Sequence, residues 1–306
     1  LGLDRLSILF EGVYMDNEIY LNGEKIFTWP YGYSQFEIDL TSYVKEGENT
    51  IWVKNTYELP NSRWYPGSGI YRNVWLVRRP AVHFTTDGGY LSAKKEGDAF
   101  ILHADYEIQN DTDSACEVTL CHTVLAPDGK VAGTSKETLT IPCGLTVNKQ
   151  TMTFENPLLW DIESPNLYTV HSEIIIDETA IDSSDERFGF RTIAFNPDKG
   201  FFLNGRNVKI NGSCEHHTLG ALGAAINREA VRRQLTIMQK MGINAIRSAH
   251  NMPAPELMEL CDEMGLLLYT ESFDMWEHCK TDYDYGNYFK DWWKTDLTSW
   301  GRQDRN

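Results

Sequence analysis

The feature that most restricts how this 306-residue chain can fold is a change of hydrophobic period near Phe190. Before it, apolar and polar residues alternate every second position, as in strands with one buried face. After it, apolar residues recur every three to four positions, as in helices packed on one side. A chain that changes period once past its midpoint is not one repeated architecture. It reads as a β-rich part followed by a β/α part, and at about 150 residues per domain the length suggests two or three domains.

Within the β-rich part, residues 1–79 read as antiparallel. Alternation over 18–21 and 24–26 flanks Asn22-Gly23, the pair most characteristic of a two-residue hairpin turn. Tyr33, Phe36, Ile38 and Leu40 predict another half-buried strand, and 6–10, 50–53 and 74–77 are further strands. Short strands with turns at this spacing predict a sandwich. In residues 80–188, strands are predicted at 101–108, 118–124, 136–141 and 168–176, separated by Asn110-Asp111, Pro127-Asp128-Gly129 and Asn156-Pro157 turns. About 110 residues of this kind read as an immunoglobulin-like sandwich. It carries no chemical constellation, so its expected role is a spacer or brace.

Residues 189–306 predict strand, helix, strand, helix, strand. The first strand is expected at 207–211, after the Asn204-Gly205 turn. Asn227 then caps a helix with Val231, Leu235, Met238 and Met241 on one face, and Gly242 ends it. A strand at 243–248 leads to a helix opened by Pro253 and Pro255, closed by Gly265 and followed by a strand at 266–269. Short connections of this order open a parallel α/β fold. Gly220-Ala221-Leu222-Gly223 does not match GxGxxG, so the first part of a (β/α)8 barrel is favoured over an open dinucleotide-binding sheet.

Composition excludes several partners. With 28 Lys+Arg against 44 Asp+Glu the formal charge is -16 and the pI ≈ 4.9, a surface that repels phosphate backbones, so nucleic acid is not an expected partner. Mean hydropathy is -0.41, and no apolar run approaches the roughly 20 residues of a membrane-spanning helix. The 6 cysteines lack CxxC spacing and read as free thiols in a reducing bacterial cytoplasm. Leu1 in place of Met, the immediate entry into a strand and the unterminated end at Asn306 give the expectation of a larger parent chain.

In a barrel, reactive groups collect at the C-terminal ends of the strands. Here these positions hold Glu215, His216 and His217, then Arg247, His250 and Asn251, then Glu271 and Asp274, with Trp276 and Glu277 just beyond. Taken singly, a histidine is an ordinary surface or core residue; three successive polar strand ends are not ordinary packing. Zinc held by Cys214, His216, His217 and His250 is a competing reading, opposed by the adjacent rings of His216 and His217 pointing to opposite sides of an extended chain. Hydroxyl-rich sugars ask for the same residues, with tryptophan as a stacking plate.

Longer runs resemble glycoside hydrolase family 2, most closely its β-galactosidases. They are Gly189-Phe190-Arg191, Gly200-Phe201-Phe202-Leu203-Asn204-Gly205-Arg206, Glu215-His216-His217-Thr218-Leu219-Gly220 and Asn244-Ala245-Ile246-Arg247-Ser248-Ala249-His250-Asn251. Arg63-Trp64-Tyr65-Pro66-Gly67-Ser68-Gly69-Ile70-Tyr71-Arg72 is similar to the family's N-terminal sugar-binding-type domain, and Asn156-Pro157-Leu158-Leu159-Trp160 to its middle domain. The resemblance implies a β jelly-roll at 1–79, an immunoglobulin-like β-sandwich at 80–188 and the first part of a TIM barrel at 189–306. It implies a retaining exo-β-glycosidase acting on terminal β-galactosides by double displacement, with both catalytic glutamates beyond Asn306. Glu215, Glu271 and Asp274 are not promoted to those two roles. Substrate-binding or transition-state support is expected from His216, His217, Arg247, His250, Asn251, Asp274, Trp276, Arg63 and Trp64. No metal ligand is assigned in this chain, while Mg or Na in the parent and a homo-oligomeric parent are compatible with the resemblance. The expected partner is a β-galactoside or related glycan. β-Glucuronidase, β-mannosidase and a non-catalytic carbohydrate-binding protein are the alternatives.

Overall fold

The computed structural model describes residues 4–306; residues 1–3, and with them the reading of a cut start, lie outside the described residues. In the first module two three-stranded antiparallel sheets face each other. One is ordered Phe36–Asp39, Arg5–Phe10, Val74–Arg79, the other Glu24–Trp29, Asn17–Leu21, Ile51–Asn55. Phe10, Val13, Ile19, Leu21, Phe36 and Leu40 fill the space between. Asn22 (φ 53) and Gly23 (φ 89) both adopt the left-handed conformation that a type I′ hairpin requires. One expectation is corrected: Tyr33 lies outside the Phe36–Asp39 strand and is buried instead in the aromatic cluster with Met252 and Phe273 of the third module.

The second module is a seven-stranded sandwich. Gly144–Glu155, Ala99–Asn110 and Val82–Glu96 form one sheet, and Val131–Ile141, Cys116–Leu125, Tyr168–Ile176 and Thr179–Phe188 the other. Three of these strands were not predicted. Gly144–Glu155 turns polar Asn148 and Gln150 inward, where they bond Glu137 and Ser135, and this hides its alternation. Thr179–Phe188 is a polar edge strand with only Phe188 buried, and Val82–Glu96 bulges over 85–88, between its pairs Phe84 with Ile108 and Gly89 with Tyr106, which breaks its alternation.

The third module holds three parallel strands, Gly212–Glu215, Ala245–Ser248 and Leu267–Tyr269, in that spatial order. Helices α1 (Arg228–Lys240), α2 (Pro255–Met264) and α3 (Gly286–Gln303) accompany them. Asn227 Oδ1 accepts from Ala230 N at 2.9 Å, capping α1. Gly265 (φ 71) closes α2 in the left-handed conformation. Val231, Leu235, Ile246, Leu260 and Leu266 form the helix–sheet core.

Two expectations fail here. The first parallel strand is not 207–211: Arg206–Asn207 pairs back onto Gly200–Leu203, and Val208 N donates to Phe201 O, so that backbone is committed to an antiparallel hairpin. The parallel strand starts only at Gly212. Met241 is 74% exposed because it follows the last turn of α1 rather than sharing its buried face. No helix among the described residues is long and apolar enough to cross a membrane.

Contacts between modules set the position of the strand ends. Arg72, 4% exposed, donates to Glu11 O and Tyr33 O within the jelly-roll and to Met252 O and Pro253 O after the second barrel strand. The middle module is tied to α3 by Arg302, whose Nη1 and Nη2 each lie 2.7 Å from a carboxylate oxygen of Glu107. It is tied to α2 by Trp160 Nε1, which donates to Asp262 O at 2.8 Å.

Candidate active site

The parallel register places Cys214, Arg247 and Tyr269 side by side, so their side chains share one face of the sheet. Arg247 Nη1 accordingly lies 3.3 Å from Cys214 Sγ. Its Nε and Nη2 both lie 2.7 Å from Glu271 Oε1, just past the third strand. His250 joins them: Nδ1 is 3.1 Å from Arg247 Nη2 and 3.2 Å from Glu271 Oε2. Ser248, fully buried, points the other way, and its Oγ accepts from Glu271 N at 3.0 Å. The thiol and the carboxylate hold the Arg247 guanidinium pKa above its ordinary value, so it stays charged.

The histidines of the first strand end are kept neutral. Burial, then His250 and Arg247, lowers the His216 pKa, and burial, then Arg72 and His216, lowers that of His217 much further. A neutral imidazole offers one donor and one acceptor, which suits a sugar hydroxyl better than an imidazolium does. Trp64, reaching over from the jelly-roll, sets its ring 5.2 Å from His216 and 5.5 Å from His250, and its Nε1 donates to Tyr33 Oη at 3.2 Å. Its neighbour Arg63 donates to Asp274 at 3.0 and 3.3 Å. Lys280 Nζ adds a bond to the same carboxylate at 2.8 Å.

The predicted residues therefore fall into three groups. His216, Arg247, His250 and Trp64 meet at the mouth of the strands. Asp274, with its side chain 4% exposed, is spent on Arg63 and Lys280, and Trp276, 58% exposed, forms a wall beside Phe273 and Phe289. His217 and Asn251 lie a layer behind. The His217 ring packs 4.8 Å from Tyr33, and Asn251, 3% exposed, accepts from Tyr31 Oη at 2.7 Å. Among the described residues no three His, Cys, Asp or Glu side chains converge as a metal ion would require; the Cys214 thiol meets a guanidinium instead. A cleft of ≈ 950 Å³ opens over Arg247, His250, Glu271, Asp274, Trp276 and Lys280.

Four contributors were not assigned from sequence: Glu271 as the bridge between Arg247 and His250, and Tyr31, Tyr33 and Arg72 from the jelly-roll. The signal available for the last three was aromatic and cationic residues in loops, at Tyr31-Gly32-Tyr33 and Tyr71-Arg72.

Comparison with known families agrees with this arrangement module by module. The model for the sugar binding domain of glycosyl hydrolases family 2 matches residues 2–80, that described as glycosyl hydrolases family 2 matches 90–191, and that for the family's TIM barrel domain 196–290. The chain belongs to glycosyl hydrolase family 2. Among its relatives, a β-galactosidase of Bacteroides ovatus is 41% identical over 303 residues, covering 98% of this chain and 36% of that protein. A putative β-glucuronidase of Formosa agariphila is 38% identical over 305 residues, 98% of this chain and 28% of that protein. The crystal structure of a family 2 member from Bacteroides cellulosilyticus superposes with a TM-score of 0.97 at 34% identity, covering 100% of this chain and 40% of that one. The chain thus spans well under half the length of each of these relatives.

Proposed function

We propose that the whole protein is a retaining exo-β-glycosidase of family 2 acting on terminal β-galactosides. The observation that carries this reading is the Arg247, Glu271 and His250 cluster at three adjacent strand ends, roofed by Trp64 and set in an open cleft. The galactoside preference rests on the likeness to the Bacteroides ovatus β-galactosidase. Double displacement needs two carboxylates about 5 to 5.5 Å apart, one as nucleophile and one as acid and then base. Glu271 is engaged by Arg247 and His250, Asp274 by Arg63 and Lys280, and Glu215 by Gln234, and the likeness to family 2 assigns both reacting glutamates to sequence that this chain does not span. In this mechanism neutral His216, together with His250, holds ring hydroxyls, Trp64 packs on the sugar face, and Arg247 orients a carboxylate.

The two cations on Asp274 favour a second reading, a β-glucuronidase, because Arg63 and Lys280 bring more positive charge to the rim than one carboxylate neutralises. Turnover of 4-nitrophenyl β-galactoside, β-glucuronide and β-mannoside by the whole protein, with NMR of the first-formed anomer, tests both. Galactoside preference with retention is expected. Glucuronide preference selects the second reading, and inversion or no turnover of any glycoside refutes the proposal.

A further inference from the structure

The phenol of Tyr31 touches the chain immediately after both His250 and Glu271. Its Oη lies 2.7 Å from Oδ1 of Asn251, the residue after His250, and 2.6 Å from the carbonyl oxygen of Ser272, the residue after Glu271. One hydroxyl from the jelly-roll therefore fastens together the two loops whose preceding residues form the His250 and Glu271 contact at 3.2 Å. The ring is 2% exposed and held by Tyr285 at 4.2 Å, Phe273 at 5.3 Å and Tyr33 at 5.7 Å, so the oxygen has little freedom to move. Burial, then Tyr33 and Asp296, pushes the Tyr31 pKa well above its ordinary value, and the phenol keeps its proton across any working pH. It has one proton for two acceptors, and the Ser272 carbonyl can only accept. That proton serves one of the two oxygens at a time, and Asn251 Oδ1 also accepts from Asp274 N at 3.4 Å. Asn251 Nδ2, also buried, has no hydrogen-bond partner among the described residues, so Asn251 is held through its Oδ1.

We infer that Tyr31 is a positioning residue for the reaction: by bridging Asn251 and Ser272 it sets the separation of His250 and Glu271, and through Glu271 the direction of Arg247. It touches no substrate itself. The inference rests on the glycosidase reading for its kinetic arm, and a structural arm is independent of that reading.

Tyr31→Phe removes one oxygen and keeps the ring packing. Tyr71→Phe is the control, because the Tyr71 hydroxyl in the same aromatic cluster donates only to Gly32 O, at 2.8 Å, within the jelly-roll. In the whole protein, Tyr31→Phe is expected to lower kcat about tenfold with KM changed less than about twofold, the loss of one hydrogen bond expressed at the reacting centre. Tyr71→Phe is expected to lower Tm comparably and leave kcat unchanged. In a His250→Ala background, Tyr31→Phe should cost less than about twofold more, because the contact it positions is already gone. Equal kcat losses in the two Phe variants, or full additivity with His250→Ala, overturn the inference. If the wild-type protein turns over no glycoside, the functional reading fails and a crystal structure of Tyr31→Phe decides the positioning role. A His250 to Glu271 distance still near 3.2 Å overturns it, and a separated pair supports it.

Discussion

His122 in the middle sandwich should make the stability of this chain depend on pH in one direction only. The residue is 0% exposed, its ring stacks 4.7 Å from Tyr106, and Nδ1 lies 2.8 Å from Ser172 Oγ, while Nε2 has no partner among the described residues. Burial lowers its pKa from 6.5 to about 4, with Glu137 opposing weakly. The unfolded chain thus takes up a proton as pH falls below 6.5, and the folded chain does so only near 4. The stability that His122 contributes is complete above pH 6.5 and is lost as pH falls toward 4. At 1.36 kcal/mol per pH unit, the loss is about 1 kcal/mol by pH 5.5 and about 3 kcal/mol by pH 4. His122→Phe keeps a ring against Tyr106 and cannot titrate. Urea unfolding of both proteins at pH 7, 5.5 and 4 gives the difference between them, in which other groups largely cancel; dilute samples are needed because the pI ≈ 4.9 falls inside this range. The wild type should lose about 3 kcal/mol relative to the variant between pH 7 and pH 4. A difference constant to within about 0.5 kcal/mol would refute the reasoning.

Gly265→Ala should lower Tm by at least about 4 °C, since a Cβ there would lie 2.2 Å from Ile162 O and φ is +71; an unchanged Tm counts against the packing described. Arg72→Met strips a buried donor from four backbone carbonyls and should cost about 3 to 5 kcal/mol in urea unfolding. It should also speed amide exchange around Met252, and normal exchange there would show that the jelly-roll does not hold that loop. The 306-residue chain alone should hydrolyse no aryl β-galactoside, because the two glutamates of double displacement are assigned to sequence it does not span. Turnover that survives a control for host enzyme would reverse that expectation.

The most legible elements were those in which a single local interaction decides the outcome. Asn22-Gly23 needs only two left-handed residues to make its hairpin, Asn227 one side-chain bond to cap α1, and Gly265 one positive φ to stop α2. The cluster at the strand ends was legible for a related reason, since a parallel sheet brings together whatever follows each strand. What could not be read depends on partners far away in the chain. The strand Gly144–Glu155 looks polar until Asn148 and Gln150 find Glu137 and Ser135 across the sandwich. Arg72 is an ordinary loop arginine until Met252, 180 residues later, accepts from it, and the partner of Tyr31 at Ser272 is 241 residues away. The first barrel strand was misplaced because residues 207–211 directly follow the Asn204-Gly205 turn, and only the pairing of Val208 with Phe201 shows that the parallel sheet begins later, at Gly212.

The burial of Arg72 between two modules bears on how such proteins can be recombined. A crossover near residue 80 would join one parent's jelly-roll to another parent's barrel while separating a guanidinium from the carbonyls of Met252 and Pro253 and a phenol from Asn251 and Ser272. The chimera would inherit intact sandwiches and a mismatched mouth. Exchanging the middle sandwich alone disturbs other contacts, among them Arg302 with Glu107, Trp160 with Asp262, Arg187 with Glu263 and Arg5 with Asp111, and none of these residues belongs to the strand-end cluster. Libraries built by shuffling this family should therefore keep residues 4–79 and the barrel from one parent and take diversity from the middle module.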